Sequence, residues 1–131
     1  MYRLELRIDV LPLMNTSNRR HRWEATKQRA KWALLMRAAL GRKRKPKRPL
    51  WHARLTFTRH SSRQGDFGNL VESFKLAQDL LMIPSQRNPK GLGIIVDDGP
   101  RFVGTPDYLW EYAPRGKGFI TIVVEEVEGA A

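Results

Sequence analysis

Residues 2–10 read Tyr-Arg-Leu-Glu-Leu-Arg-Ile-Asp-Val. Leu4, Leu6, Ile8 and Val10 alternate with Arg3, Glu5, Arg7 and Asp9. That period of two turns one face of a strand to a core and the other to water. Pro12 ends the strand by removing a backbone donor. Asn15, Thr16, Ser17 and Asn18 then supply turn chemistry and candidate helix N-caps. From about Arg20 to Leu40 there is no Gly or Pro, and Ala, Leu, Lys, Arg and Gln dominate. This composition predicts a long helix, stopped at Gly41.

Working outward, residues 41–48 (Gly-Arg-Lys-Arg-Lys-Pro-Lys-Arg) read as a solvated basic loop. Residues 51–58 read as a second strand, with Leu55 and Phe57 facing one way and Arg54, Thr56 and Thr58 the other. Residues 59–65 form a polar loop. A second helix is expected from Asn69 to Met82, since Leu70, Phe74, Ala77 and Leu81 fall on one face at helical spacing. Pro, Asn, Lys and Gly make 84–91 a mobile loop. Ile94-Ile95-Val96 is a short apolar run ending at Asp97-Asp98-Gly99-Pro100. Tyr108–Tyr112 and Phe119–Val127 read as final strands joined by a turn at 114–118. The order β-α-β-α-(β)-β-β predicts an α/β or α+β fold. One domain would span 1–131, with a mixed sheet of four to five strands and two main helices.

The chain has 131 residues, enough for one sizeable core. It has no Cys, which removes disulfides, thiolate metal sites and Cys nucleophiles together. No apolar run approaches the roughly 18 residues of a membrane span, and the charged start does not resemble a signal peptide. The expectation is a cytoplasmic protein without a membrane partner. The net charge is +11, unevenly spread. Residues 1–65 carry 18 basic and 3 acidic side chains, and residues 66–131 carry 6 basic and 10 acidic. So positive a half attracts a polyanion, most commonly nucleic acid. Arg42, Lys43, Arg44, Lys45, Lys47 and Arg48 are the candidate backbone contacts in the basic loop, alongside Arg19 and Arg20 at the start of the long helix.

Carboxylates repel phosphate unless a cation lies between them, so the acids of the second half need an explanation. Asp66 precedes the second helix, Asp79 lies within it, and Asp97-Asp98 follow the apolar run. Carboxylates at the ends of different elements are how a chain assembles a Mg²⁺ site, and Mg²⁺ can activate water against a phosphodiester. Each acid also has an ordinary reading. Asp66 would suit an N-cap, Asp97-Asp98-Gly-Pro a turn, Asp79 a structural helix position, and Lys75 a solvated one.

The segment Asp66-Phe-Gly-Asn69-Leu70-Val-Glu-Ser-Phe-Lys75-Leu-Ala-Gln-Asp79, followed by Ile-Ile-Val-Asp97-Asp98, resembles the RusA family of Holliday junction resolvases, especially its phage-type members. That family carries Asp-x-Asp-Asn-Leu, a helical Lys with an Asp four residues on, and a strand ending in Asp-Asp. Pro12 and Asn15 fit its first strand and the turn that follows. Gly116-Lys-Gly118 and the strand ending in Glu125-Glu126 fit its close. The resemblance implies a RusA-like fold and a homodimeric endodeoxyribonuclease using Mg²⁺ or Mn²⁺. Such an enzyme resolves four-way DNA junctions by paired nicks, in recombination and repair. By position, Asp66 and Asp98 would be metal ligands, Lys75 would meet the scissile phosphate, and Asn69 would cap the helix or bind. Asn15 would lie on the DNA side. Gly68 departs from the pattern, standing where the family has a metal-ligating Asp. Asp97, Asp79 or Glu72 would then complete the site. The competing expectation is a basic nucleic-acid binder of the same fold without catalysis, or a small RNA-associated protein.

Among other residues, His21, His52 and His60 share no metal-ligand spacing and read as surface or DNA-facing. Trp23 is expected to pack and Trp32 to be partly exposed. Trp51 and Trp110 are candidates either to stack on an unpaired base or to fill the core. Neither a phosphate-binding glycine loop nor a dinucleotide fingerprint occurs.

Overall fold

The computed structural model describes residues 1–14 and 22–128. Asn15, Arg19, Arg20 and His21 therefore lie outside the described residues. The strands are β1 (Arg3–Ile8), β2 (Ala53–Ser61), β3 (Asp107–Tyr112) and β4 (Phe119–Glu126). They form one mixed sheet in the order β1-β4-β2-β3. β4 runs antiparallel to both β1 and β2, whereas β2 and β3 are parallel. A parallel pair cannot be joined by a tight turn. The crossover between β2 and β3 carries α2 (Phe67–Ser73), α3 (Lys75–Leu80) and α4 (Pro100–Val103), and it holds every candidate acid. The expected α+β class and the mixed four-stranded sheet are both present.

The alternation read from the sequence sets the core face. Leu4, Leu6 and Ile8 of β1, Leu55 and Phe57 of β2, and Ile120, Ile122 and Val124 of β4 are buried in one cluster. Their neighbours Arg3, Glu5, Arg7 and Arg54 are exposed. α1 (Arg22–Leu40) lies over β1 and α3. It buries Trp32, Met36 and Leu40, which recur every four residues on one stripe. Trp32 is thus a core residue, not a partly exposed one. α1 ends as expected, with Gly41 at φ 47 and its N–H donating to the Arg37 carbonyl at 2.9 Å.

Several elements differ from the sequence reading. β2 begins two residues late and runs through Arg59, His60 and Ser61, because β3 and β4 offer ladder partners on both sides. His60 accordingly leaves the surface: its ring stacks on Phe119 at 4.1 Å. The second helix starts at Phe67 and is interrupted at Phe74, whose φ and ψ of −90 and −2 bend the chain. There the Ser73 hydroxyl donates to the Leu70 carbonyl at 2.7 Å, a back-bond that tends to bend helices. Ile94–Val96 does not join the sheet. Ile95 bridges Leu50 and Met82, outside any named strand.

The loop expected to be mobile is internally tied. Ser85 and Asn88 exchange backbone hydrogen bonds at 3.1 Å, and Asn88 Nδ2 donates to the Asp79 carbonyl at 2.8 Å. Gly91 closes this loop against α3. A Cβ there would stand 2.8 Å from Asn88 Nδ2 and closer still to the Met82 carbonyl. Gly91→Ala is expected to cost about 1–3 kcal/mol of stability by overpacking. A urea melt checks this, and an unchanged midpoint would show that the loop yields freely.

Candidate functional site

α3 and the Asp97-Asp98 turn bring together residues 19 positions apart in sequence. Gln78 is the joint. Its Nε2 donates to Asp98 Oδ2 at 3.3 Å, and its Oε1 accepts from the Tyr108 hydroxyl at 2.6 Å. Tyr108 is itself held by Phe57, stacked at 5.4 Å and 11°, and by Phe74 at 6.2 Å. The Asp98 carboxylate is thus oriented through a bonded chain that ends in the core. Such support holds a charged group in one geometry before a ligand arrives.

Asp79 lies beside this pair. Its carboxyl is pushed above the usual range, first by burial and also by the Asp98 charge, with Lys75 and Arg29 pulling the other way. The Tyr108 hydroxyl is likewise pushed up, by burial and then by Asp98. A half-buried carboxyl whose ionisation is opposed both by burial and by a neighbouring carboxylate is unfavourable in the bare fold. A site that keeps such a pair is a candidate for cation binding. Lys75 sits one turn before Asp79 on α3 and is exposed. Asp97 opens instead, with Asp79, Arg29, Arg87 and Asn88, into a neighbouring cavity of about 390 Å³.

Asp66 occupies the N-cap position of α2, with extended backbone and no capping bond from its side chain. It is exposed, so the carboxylate is available. The loop before it rests on β3: a Cβ on Gly65 would lie 3.8 Å from the Trp110 ring. Trp110 and Tyr108 share one strand face, about 7 Å apart along it. The Asp66 loop and the Asp98 turn therefore reach β3 at adjacent stations. Gly68 lies close against Asp66: a Cβ there would stand 3.2 Å from Asp66 Oδ2, tighter than ordinary contact, so the carboxylate would have to shift by a few tenths of an ångström. Asn69 is half-buried in the first turn of α2, and Glu72 is exposed on the same helix. Among the described residues, no three His, Cys, Asp or Glu side chains gather closely enough to hold one ion together.

The described donor set suits Mg²⁺ in kind. It is all oxygen, and Mg²⁺ usually takes one or two carboxylates and completes its shell with water and substrate phosphate. The pair that the fold joins most directly is Asp79 with Asp98, rather than Asp66 with Asp98. The sequence reading offered Asp79 both as a structural helix position and as a possible ligand, and did not single out Gln78, Tyr108 or Arg29. The one available signal was the i, i+4 spacing of Lys75 and Asp79, which places them on one helix face.

Placing a carboxylate at position 68 tests whether Asp66 belongs to the same centre. Gly68→Asp is expected to tighten Mg²⁺ binding about tenfold by adding charge and a ligand. Calorimetric titration of parent and variant measures it, and equal affinities would separate Asp66 from the ion.

The basic segment 42–48 is exposed, as expected of a loop, yet it is anchored. The Tyr2 hydroxyl donates to the Arg44 carbonyl at 2.6 Å, and Lys43 N–H to the Leu40 carbonyl at 2.8 Å. No helix among the described residues is long and apolar enough to cross a membrane. No protein-family model matches the chain, and no curated protein matches it as a relative.

Proposed function

We propose that the protein is a Mg²⁺-dependent, structure-specific endodeoxyribonuclease that resolves four-way DNA junctions, acting as a homodimer that nicks paired strands. The observation that carries the reading is the Asp98 carboxylate, oriented through Gln78, with its charge acting on Asp79, which Lys75 also faces, in a chain of net charge +11. Acids gathered beside a bonded network that orients one of them, against the trend of the whole molecule, suit a bound divalent ion that meets a phosphate.

In this reading Asp98 and Asp79 hold Mg²⁺, water and substrate phosphate complete its shell, and Mn²⁺ can replace it. The ion, when bound, would lower the pKa of a water and offset charge developing on the phosphate. The chain's own residues do the rest. Gln78 and Tyr108 hold the Asp98 carboxylate in orientation. Lys75 places a positive charge where the transition state gains negative charge. Arg42, Lys43, Arg44, Lys45, Lys47 and Arg48 grip backbone phosphates, which makes affinity fall steeply with salt.

The test is a labelled four-way junction incubated with the protein in Mg²⁺. Symmetric paired nicks at matching positions on opposing strands support the reading. Tight binding without nicks in either Mg²⁺ or Mn²⁺ overturns it. The second reading, a nucleic-acid binder without catalysis, is favoured by one observation, the missing carboxylate at Gly68.

A further inference from the structure

A second groove, lined among the described residues, lies away from the α3 cavity. It encloses about 1390 Å³ between the start of β1, the basic loop and the segment after β4. Lys43, Arg44, Lys45, Lys47 and Arg48 line it, and so does Trp51. Three carboxylates line it as well: Glu5, Glu126 and Glu128. Two of them are engaged within the chain. Glu126 accepts the Tyr2 N–H at 3.0 Å, and Glu5 pairs with Arg3 at 3.4 Å.

Trp51 is the unusual member. A tryptophan is a large apolar body that proteins mostly cover, yet this one is 64% exposed. Nor is it loose. Its ring leans on Phe102 of α4, with centroids 5.8 Å apart and planes at 34°. Its neighbour Leu50 is buried and bonded on both sides: Leu50 N–H donates to the Ile94 carbonyl at 2.8 Å, and Val96 N–H to the Leu50 carbonyl at 3.0 Å. Pro46 and Pro49 stiffen the approach. A rigid, exposed indole beside five cationic side chains has the two parts of a single-strand site: a charged track for the backbone and a flat face for a base. Duplex DNA would use the charges but leave the indole idle, because its bases are already stacked.

We propose that this groove binds an unpaired stretch of DNA, with one base stacked on Trp51. The inference rests on the nucleic-acid reading above and specifies which form of the polymer the basic loop meets. Phe102, which supports the indole, lies on the short helix that begins two residues after Asp98. A strand held on Trp51 therefore leaves the groove beside the turn that carries Asp98.

The test uses fluorescein-labelled (dT)12 and a blunt 12-base-pair duplex, with affinity read by anisotropy in EDTA. Trp51→Ala is expected to weaken (dT)12 about tenfold or more while leaving the duplex within about twofold. Trp51→Phe keeps the ring contact with Phe102 and holds most of the (dT)12 affinity. It should also abolish the part of the tryptophan-emission quench caused by (dT)12. Asp98→Asn should leave all of these unchanged, so loss of cleavage and loss of this site are read separately. Equal weakening of both probes by Trp51→Ala, unchanged (dT)12 binding, or a parent protein that does not bind (dT)12 at low salt would each overturn the proposal.

Discussion

Asp98→Asn is expected to reduce junction cleavage in Mg²⁺ by more than about a hundredfold while leaving junction binding in EDTA unchanged. Replacing a residue that merely supports a metal ligand commonly costs about 10- to 100-fold, so loss of a ligand should cost more. The amide keeps the shape of the carboxylate and can still meet Gln78, so the fold is not at risk. Only the charge and one oxygen are lost. In the proposed reading binding is carried by the basic loop, apart from Asp98. Parallel cleavage and anisotropy measurements on parent and variant decide the matter. Cleavage at the parent rate would remove Asp98 from the site, and equal loss of binding would mean that the turn serves the grip rather than the chemistry.

Phe74→Ala is expected to destabilise the fold by about 3–5 kcal/mol, the usual cost of emptying a fully buried phenylalanine site. Phe74 has no exposed surface and sits at the bend between α2 and α3, against Phe57 at 5.1 Å and Tyr108 at 6.2 Å. It joins the sheet to the helix that carries Lys75, Gln78 and Asp79. A single domain rests on about 5–15 kcal/mol in all, so this change removes a large share. Urea unfolding followed by circular dichroism gives the size directly. A loss below about 1 kcal/mol would show that neighbouring rings collapse into the space, and that the bend does not depend on this ring.

The strands were largely legible because alternation is a local signal. β1 reads from Leu4, Leu6 and Ile8 alone, and α1 reads from a run without Gly or Pro. The errors fell where partners at long range decide. Arg59, His60 and Ser61 are polar enough to read as a loop, yet two neighbouring strands supply their backbone bonds. Ile94–Val96 is apolar enough to read as a strand, yet it forms isolated bridges to Leu50 and Met82 instead of a ladder in the sheet. The break at Phe74 was hidden because its ring continues the apolar stripe of the helix on either side.

For the site, residue type and spacing were sufficient to name Asp66, Lys75, Asp79, Asp97 and Asp98 as candidates. They could not rank them, because proximity across a crossover is not written in any local pattern. The amino-acid order alone determined the pleat faces, the long first helix and the division into a basic half and an acidic half, since each depends on side-chain chemistry at fixed local intervals. Only the tertiary structure decided that the Asp98 charge acts on Asp79, that Gln78 and Tyr108 orient Asp98, and that Trp51 faces water. Those facts follow from packing between segments far apart along the chain, where burial and the contact of distant groups set the energies.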